Sequence, residues 1–290
     1  MKLIVALLTL PCLVLAKPPS KAVPVPEDIR VEKDLAYLTA DRKEKADLYL
    51  PKIIAPGVKL PVVIVIHGGG FNDGDKARTR EVSICTDLVR GGYAAMSINY
   101  KLWNKGMKKP TWPRSLYDAK TAVRWIRKNA ASYGINPDRV GSLGGSAGGN
   151  LAAMLALTGP ADGLEPTDSL GDVSAKVSCG IDLYGAVDLP NYHDMKMFLK
   201  TAAEDPAVYA KASPINYADK DDAPMLIIHG TADEVVNHSQ SVTLVDKLKA
   251  AGAEYEFVSI PGAPHTFDLQ PKERDLRPVV LGFLDKHLKK

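Results

Sequence analysis

Short apolar runs alternate with amphipathic stretches along most of this chain. Residues 62–66 read VVIVI, a continuous β-branched run that is typical of a central strand covered on both faces. Residues 115–133 carry apolar side chains at helical spacing and stop at Gly134, which predicts an amphipathic helix. Further strands are predicted at 93–100, 139–143, 177–184, 225–229 and 255–260, and further helices at 76–90, 150–157, 239–251 and 274–287. Because strands alternate with helices, we expect an α/β fold, with a central, mostly parallel sheet and helices on both faces.

Three stretches depart from this alternation. Two early strand patterns, 31–39 and 45–50, flank a polar turn at 40–44 and predict a hairpin. Residues 159–174 are rich in Gly, Pro and Asp, and residues 186–220 have room for a short helix or two. In layered folds such excursions often cover the functional site, so we expect a covering role here. Plain surface loops are the alternative.

The first 30 residues resemble an export signal and a leader. Lys2 precedes an apolar run, and small residues precede a cleavage point after Ala16, which is the pattern of a secretory signal peptide. The run is shorter than the ~20 residues that span a bilayer. A buried N-terminal helix is the alternative, and the prolines that follow disfavour it. We predict a secreted or periplasmic protein without a membrane segment after cleavage, with a signal at 1–16, a Pro-rich leader at 17–30 and one domain at 31–290.

Composition and charge change this picture little. Hydrophobic residues make up 46% and charged residues 24% of the chain, which is ordinary for a globular protein with a sizeable core. The formal net charge of +3 is spread along the sequence, so we expect no nucleic-acid partner. Two cysteines remain after signal removal, Cys85 and Cys179, and their positions fit one disulfide or two buried free thiols equally. No His or Cys spacing predicts a metal site.

The strongest chemical motif is the glycine-rich segment 144–149, which reads GGSAGG. It follows a short predicted strand and precedes a predicted helix of small residues. At such a junction, a nucleophile elbow holds its serine in a strained backbone conformation, and small neighbours let strand and helix approach each other. A phosphate-binding loop is the rival interpretation, but no Lys-Ser or Lys-Thr pair follows the glycines, and the spacing does not fit a dinucleotide site. The motif therefore predicts Ser146 as a nucleophile.

A second glycine run, HGGGF at 67–71, directly follows the predicted central strand. Consecutive glycines let backbone N–H groups point into a pocket, as an oxyanion hole requires. We expect the amides of Gly69, Gly70 and Ala147 to be the donors. His67 is expected to brace this loop by hydrogen bonding rather than to act in catalysis.

A serine nucleophile needs a base and a carboxylate that orients the base. Asp233 follows the strand predicted at 225–229, and His265 follows the strand predicted at 255–260. Both residues therefore lie just beyond strand ends, and the order Ser, Asp, His is the one expected for an α/β-hydrolase. Asp188 is the alternative acid.

The remaining histidines and buried acids are expected to have other roles. His229 is interpreted as a structural residue at a strand end, and Asp182 as a buried structural carboxylate. Three further histidines are expected to be solvated: His193, His238 and His287.

Five segments together resemble the acetyl-xylan/feruloyl esterase group of α/β-hydrolases. They are HGGGF at 67–71, DAKTAVRWIRKNA at 118–130, GGSAGGN at 144–150, HGTADEVV at 229–236 and PGAPHTF at 261–267. The resemblance extends from about residue 30 to the C-terminus. It implies a catalytic Ser146, Asp233 and His265, no cofactor, and hydrolysis of acetyl or hydroxycinnamoyl esters of plant polysaccharides. Hormone-sensitive-lipase-like esterases share the HGGG loop, but they usually carry an acidic residue where this chain has Gly145.

The chain also departs from the pattern of this group. Members often have Tyr-Arg-Leu where Lys101 is the central residue here, and glycines where Pro264 and Thr266 flank the histidine. These changes leave the triad intact, but they affect the expected acyl pocket. The basic segment 101–109, with Trp103 and Trp112 close by, is either a sugar entrance or a solvated loop.

The motifs and the resemblance together predict a secreted serine esterase that acts through an acyl-enzyme on a small-molecule or polysaccharide ester. The alternatives are an exported peptidase of the prolyl-oligopeptidase type, a general short-chain carboxylesterase or lipase-like enzyme, and a non-enzymatic carbohydrate-binding hydrolase fold. The peptidase type usually has a large N-terminal propeller, whereas only about forty residues precede the sheet here. No member of the triad is missing, which disfavours the non-enzymatic alternative.

Overall fold

The computed structural model describes residues 24–289. The predicted signal peptide at 1–16 lies outside the described residues, so export stays a prediction. This part of the chain contains eight strands: β1 (Ile29–Leu35), β2 (Ala46–Pro51), β3 (Leu60–Ile66), β4 (Ala94–Ile98), β5 (Ile135–Gly145), β6 (Cys179–Leu183), β7 (Met225–Gly230) and β8 (Tyr255–Ile260). The same residues form six α-helices: α1 (Thr79–Arg90), α2 (Arg114–Asn129), α3 (Ala147–Leu157), α4 (Pro206–Lys211), α5 (Ser239–Ala251) and α6 (Arg277–Leu288).

All eight strands form one sheet in the order β1-β2-β4-β3-β5-β6-β7-β8. The β1–β2 and β2–β4 pairs are antiparallel, and the other neighbours are parallel. Because β1 is antiparallel to β2 and β2 is antiparallel to β4, β1 is parallel to the other six strands, and these seven strands end at one edge of the sheet. The loops that follow β1 and β3 to β8 emerge there, and we refer to this edge as the carboxyl edge. In an open parallel sheet, binding sites form at this edge.

Two apolar cores lie on the two faces of the sheet. Alternate residues of β3 belong to different cores, as strand geometry requires, and the whole strand is buried. One core contains Ile64 together with α2, α3 and α5, and the other contains Val65 together with α1 and α6. The predicted α/β fold with helices on both faces is confirmed.

Many element boundaries differ from the sequence predictions by a few residues, and four of the differences have a structural cause. β1 begins at Ile29, inside the predicted leader, and ends at Leu35, where the pairing with β2 shifts register. The helix predicted at 115–133 is α-helical only to Asn129 and closes with a 3-10 turn to Tyr133. The helix predicted from residue 150 begins at Ala147, because the elbow starts it directly.

The fourth difference is the turn predicted at 136–138. It lies within β5 as an irregularity, because Leu60 pairs with Ile135 whereas Val62 already pairs with Val140. The side chain of Asn136 accepts a hydrogen bond from the Asp138 amide at 3.0 Å, which is a local turn contact. The turn prediction was correct in its local geometry, but the strand continues on both sides of it.

Both excursions pack on the domain. The segment 186–220 contains α4 and three short 3-10 turns, and it contributes Met197, Phe198 and Tyr209 to the core that contains α2. The segment 159–174 places Glu165 and Asp168 against α2, where they form ion pairs with Arg124. Neither segment is therefore a plain surface loop.

Cys85 and Cys179 are both buried free thiols. Cys85 lies in α1 and Cys179 in β6, in the same apolar core. Burial raises the pKa of both thiols, that of Cys179 to about 12. A protonated thiol is a poor nucleophile, so these cysteines are structural residues. Within residues 24–289, no helix combines the length and the apolarity needed to cross a bilayer.

Candidate active site

Three residues that are far apart in the sequence meet at the carboxyl edge. Nε2 of His265 lies 3.0 Å from Oγ of Ser146, and Nδ1 of His265 lies 2.6 Å from Oδ2 of Asp233. The carboxylate needs a donor, so Nδ1 carries the proton and the lone pair of Nε2 faces the serine hydroxyl. The structure therefore brings together the three residues that the sequence singled out, in an arrangement that can activate the serine.

Ser146 lies at the junction of β5 and α3 in a backbone conformation that is rare for a residue with a side chain, with φ 58° and ψ −122°. The turn is very tight. A Cβ at Gly144 would lie 2.1 Å from the carbonyl oxygen of Gly148, and one at Gly148 would lie 2.1 Å from that of Ile66. The amide of Ser146 donates to the carbonyl of Leu183 at 2.9 Å, which anchors the turn to β6. Sequence and geometry thus agree on the reason for the glycines.

The carboxylate of Asp233 is fully buried and uses both oxygens. Oδ1 accepts the amides of Val235 and Val236 at 2.9 and 2.8 Å, so the turn after β7 fixes the plane of the carboxylate. Oδ2 faces His265 at 2.6 Å and His229 at 3.2 Å. These contacts hold the carboxylate in place, so that it fixes the base in one tautomer.

His229 contacts the carboxylate of Asp233 and helps to hold it in place. Its Nε2 lies 2.9 Å from the carbonyl oxygen of Val236, and its Nδ1 lies 2.7 Å from Oγ of Ser241. Nε2 faces only acceptors, so it carries the proton, and Nδ1 accepts from the hydroxyl. Burial lowers the pKa of His229, which keeps the imidazole neutral. It lies at a strand end, where the sequence placed a structural histidine, and it also orients Asp233.

The glycine loop after β3 lies against the elbow. A Cβ at Gly68 would lie 3.2 Å from Cβ of Ser146, so this loop borders the nucleophile directly. Gly69 and Gly70 have φ values of +112° and +58°, which side chains disfavour. Ala147 is the first residue of α3, where an amide has no acceptor within its helix. All three predicted donors thus lie in segments that flank Ser146.

His67 stabilises the glycine loop. Its Nδ1 donates to the carbonyl of Gly68 at 2.7 Å, and its ring stacks on Tyr100 at a centroid distance of 4.4 Å. The hydroxyl of Tyr100 donates to the carbonyl of His67 at 2.9 Å. Burial lowers the pKa of His67, so its ring is neutral. The contact to Gly68 is the bracing bond that the sequence suggested.

One cluster beside the triad escaped the sequence analysis. The ring of Tyr184 meets that of His265 edge-on, at a centroid distance of 4.8 Å. Its hydroxyl donates to the carbonyl of Phe267 at 2.7 Å and accepts from Nη1 of Arg80 at 2.5 Å. The guanidinium of Arg80 also pairs with Glu81. Tyr184 is the last residue of the strand predicted at 177–184, which ends at the carboxyl edge, and that position was the available signal.

The alternative acid Asp188 does not reach the base. Its carboxylate accepts from the side chain of Asn191 at 2.8 Å, at the start of the segment 186–220. Asp182 is fully buried as expected, and burial raises its pKa to about 7. The expectation for His287 was wrong, because its side chain is only 10% exposed and packs on Phe283. Residues 24–289 contain no group of three or more His, Cys, Asp or Glu side chains placed to hold a metal ion.

Comparison with known proteins places this geometry in a family. The BD-FAE family model matches residues 46–248, which include the glycine loop, the elbow and Asp233. The chain belongs to the BD-FAE family. The predicted α/β-hydrolase serine esterase is thereby confirmed at the level of fold and family.

Individual relatives of this BD-FAE protein are esterases. It is 33% identical over 249 residues to esterase LipQ of Mycobacterium tuberculosis, an alignment that covers 81% of this chain and 57% of LipQ. The chain thus spans little more than half the length of this curated relative. A truncated carbohydrate esterase from gut microbiota superimposes with a TM-score of 0.81 at 28% identity, covering 90% of this chain and 97% of that one. The propionate-bound esterase Est2 of Thermogutta terrifontis superimposes with a TM-score of 0.73 at 25% identity, covering 91% of this chain and 94% of Est2.

Proposed function

We propose that this protein is a serine carboxylic-ester hydrolase that removes short acyl groups such as acetyl, or feruloyl groups, from a plant polysaccharide such as xylan. The main support for this chemistry is the position of His265. Asp233 sets the tautomer of its imidazole, and its Nε2 lies 3.0 Å from Oγ of Ser146. This arrangement suits acyl transfer to a serine hydroxyl.

Acylation is the first half of the proposed reaction. His265 accepts the hydroxyl proton as Oγ of Ser146 bonds to the ester carbonyl carbon, and the carbonyl electron pair moves onto oxygen. Backbone amides near Gly69, Gly70 and Ala147 stabilise this oxyanion; one such donor typically contributes roughly 3 kcal/mol. The oxyanion then collapses, the bond to the alcohol oxygen breaks, and His265 returns the proton to the departing alcohol. The acyl-enzyme remains.

Deacylation repeats the same steps with water. His265 takes a proton from a water molecule, whose oxygen bonds to the acyl carbon and regenerates the oxyanion. Collapse breaks the bond to Oγ, and the proton on His265 passes to Ser146 as the free acid leaves. The carboxylate of Asp233 stabilises the imidazolium of each step. No cofactor takes part in this sequence.

The substrate class rests on similarity rather than on geometry. A protein described as a carbohydrate esterase gives a TM-score of 0.81 over 97% of its chain, and one described as a propionate-bound esterase has the same fold. The first supports a carbohydrate ester, and the second supports a short acyl group. The sequence resemblance predicts acetyl esters too, together with hydroxycinnamoyl esters.

The test compares small and polymeric esters. We expect fast hydrolysis of p-nitrophenyl acetate, slower hydrolysis of the butyrate and octanoate esters, and release of acetate or ferulate from xylan. Ser146→Ala should abolish all of these activities. Ser239→Ala, at an exposed serine on α5, is the matched control and should retain them.

Each other outcome favours a named alternative. A preference for octanoate would assign the protein to the lipase-like esterases. Cleavage of peptides without esterase activity would support the peptidase alternative and contradict the proposal. Sugar binding without any Ser146-dependent turnover would indicate a non-enzymatic hydrolase fold.

A further inference from the structure

A cationic pocket lies at the carboxyl edge, away from the triad. It has a volume of about 410 Å³ and is lined by five basic side chains and no acidic one: Arg42, Lys101, Lys108, Lys109 and Arg114. Met107, Pro110 and Thr111 complete its wall. Pockets of this size hold small organic ligands. We refer to it as the basic pocket.

Three of the five basic residues form no ion pair within residues 24–289, although Arg114 interacts electrostatically with the carboxylate of Asp41. Arg42 forms ion pairs with Glu44 and Asp118, and Lys101 lies 3.7 Å from Glu44. The other three basic residues are exposed: Lys108, Lys109 and Arg114. Across residues 24–289, no carboxylate oxygen lies within 4.0 Å of their charged groups. Like charges gathered without counter-charges repel one another, and an anionic ligand relieves this repulsion.

Thr111 provides an independent sign of a ligand. It is only 3% exposed, and its Oγ1 has no hydrogen-bond partner among the described residues. Buried hydroxyls normally have a partner, and one without a partner needs an explanation. Thr111 lines the pocket, and its Oγ1 is shielded from solvent, so a rotation about χ1 would be needed to present the hydroxyl to an anion there; such a rotation would break no hydrogen bond within residues 24–289. The adjacent N-terminus of α2 adds its positive dipole end and carries no acidic residue in its first turn.

The loop that lines the pocket is hydrogen-bonded to the end of the glycine loop that borders the candidate active site. Its residues 101 and 107–111 belong to the loop that follows β4, which emerges at the same edge as Ser146. In that loop the amide of Trp103 donates to the carbonyl of Phe71, directly after the glycine loop, at 2.8 Å. The amide of Thr111 donates to the carbonyl of Met197, in the segment 186–220, at 2.9 Å. A polymer whose ester lies at Ser146 can therefore extend toward the basic pocket.

We propose that the basic pocket binds the carboxylate of a uronic acid unit of the polysaccharide whose ester is cleaved at Ser146. The mixed lining fits a sugar acid better than a bare inorganic anion, because Met107 and Pro110 offer apolar contact to a sugar ring beside the charges. This inference rests on the proposed function for the polymer, but the binding of the uronate does not depend on turnover.

The first experiment measures binding directly. Isothermal titration calorimetry uses an aldobiouronic acid (glucuronosyl-xylose), with xylobiose and inorganic phosphate as comparisons. The Lys108→Ala/Lys109→Ala double variant should weaken aldobiouronic acid binding about fivefold, since each exposed charge contact contributes modestly. The wild-type affinity should also fall as ionic strength rises. Lys105→Ala, an exposed lysine of the same loop outside the pocket, is the matched control.

The second experiment measures turnover. Acetylated glucuronoxylan and its carboxyl-reduced form are compared at equal acetyl content. We expect the double variant to raise KM about fivefold on the acidic polymer only, with kcat unchanged. Thr111→Val should likewise raise KM on the acidic polymer. The rate of p-nitrophenyl acetate hydrolysis should not change in either variant.

Several results would overturn the inference. Equal affinity of the wild type and the double variant for the aldobiouronic acid would do so. An equal rise in the KM of the double variant on the acidic and the carboxyl-reduced polymer would do so too. Binding of phosphate without binding of the aldobiouronic acid would assign the pocket to an inorganic anion instead. If neither polymer releases acetate while the aldobiouronic acid still binds, the proposed function fails and the anion site stands.

Discussion

The guanidinium of Arg80 occupies the space beside Gly145 that a side chain would need. A Cβ built on Gly145 would lie 2.0 Å from Nη1 of Arg80. The guanidinium is held in place by Glu81 and by the hydroxyl of Tyr184. Tyr184 in turn contacts His265. The residue before the nucleophile is therefore coupled through a buried cation to the tyrosine that packs on the base.

This relationship predicts that substitutions at Gly145 and Arg80 have non-additive effects on the free energy of unfolding. Gly145→Ala should displace Arg80 and reduce the free energy of unfolding by about 1–3 kcal/mol, because the hydrogen bonds of its guanidinium are lost. In an Arg80→Ala background the same substitution should cost less, because only the hydroxyl of Tyr184, 2.8 Å from the built Cβ, still obstructs it. Urea denaturation of the four proteins in the double-mutant cycle measures the coupling. Additive losses would show that Arg80 and Gly145 are independent.

A second prediction concerns the acid of the triad. Asp233→Asn should lower kcat for p-nitrophenyl acetate by about 10⁴-fold, because the amide no longer fixes the imidazole tautomer. Asp188→Asn is the matched control and should change kcat by less than about twofold, since its carboxylate bonds Asn191 rather than His265. Circular dichroism checks that both variants are folded. A large loss in Asp188→Asn with an active Asp233→Asn would reverse the assignment of the acid.

A third prediction tests the tight elbow. Gly144→Ala places a methyl group 2.1 Å from the backbone oxygen of Gly148, and backbone cannot move aside as a flexible side chain can. We expect the free energy of unfolding to fall by about 3 kcal/mol or more, with loss of activity.

Gly159→Ala is the control for this substitution. A Cβ there meets no atom within 4 Å, and the φ of −121° is ordinary for alanine. It should leave the melting temperature within about 2 °C of the wild type. A Gly144→Ala variant as stable as Gly159→Ala would contradict the close packing of β5 on α3.

The sequence predicted most of the fold because its signals are local. The β-branched run of β3 and the apolar stripe of α2 have strong periodicity, and the glycines at 144–149 mark one turn geometry. Ser146, Asp233 and His265 could be found because each directly follows a strand, and the carboxyl ends of parallel strands share one edge.

The missed features depend on contacts between distant segments. Arg80 and Tyr184 are 104 residues apart, and nothing in either local pattern indicates their hydrogen bond. The basic pocket likewise combines Arg42, from the β1–β2 connection, with lysines that follow β4. The sequence left 101–109 as either a sugar entrance or a solvated loop, and only the arrangement of these charges in space supports a ligand.

The last prediction concerns stability and pH at Asp182. Its carboxyl is fully buried with a pKa of about 7, and its Oδ1 accepts the amide of Gly185 at 2.8 Å. In the unfolded chain an aspartate has a pKa of about 3.9. Between these two values the folded protein binds a proton that the unfolded chain does not. Stability is therefore highest at low pH for this group and falls as pH rises toward 7.

We therefore expect the wild type to lose more stability than Asp182→Asn between pH 5 and pH 8, by on the order of 2 kcal/mol. Urea denaturation at the two pH values measures the difference. Asp222, whose pKa burial raises to about 6, titrates in both proteins and cancels in the comparison. The comparison uses the change in stability with pH and not the absolute stability of Asp182→Asn. The amide group of the new asparagine finds no hydrogen-bond acceptor at this buried position, which lowers the stability of the variant at every pH. Parallel pH profiles of the two proteins would mean that Asp182 is ionised in the folded state across this range.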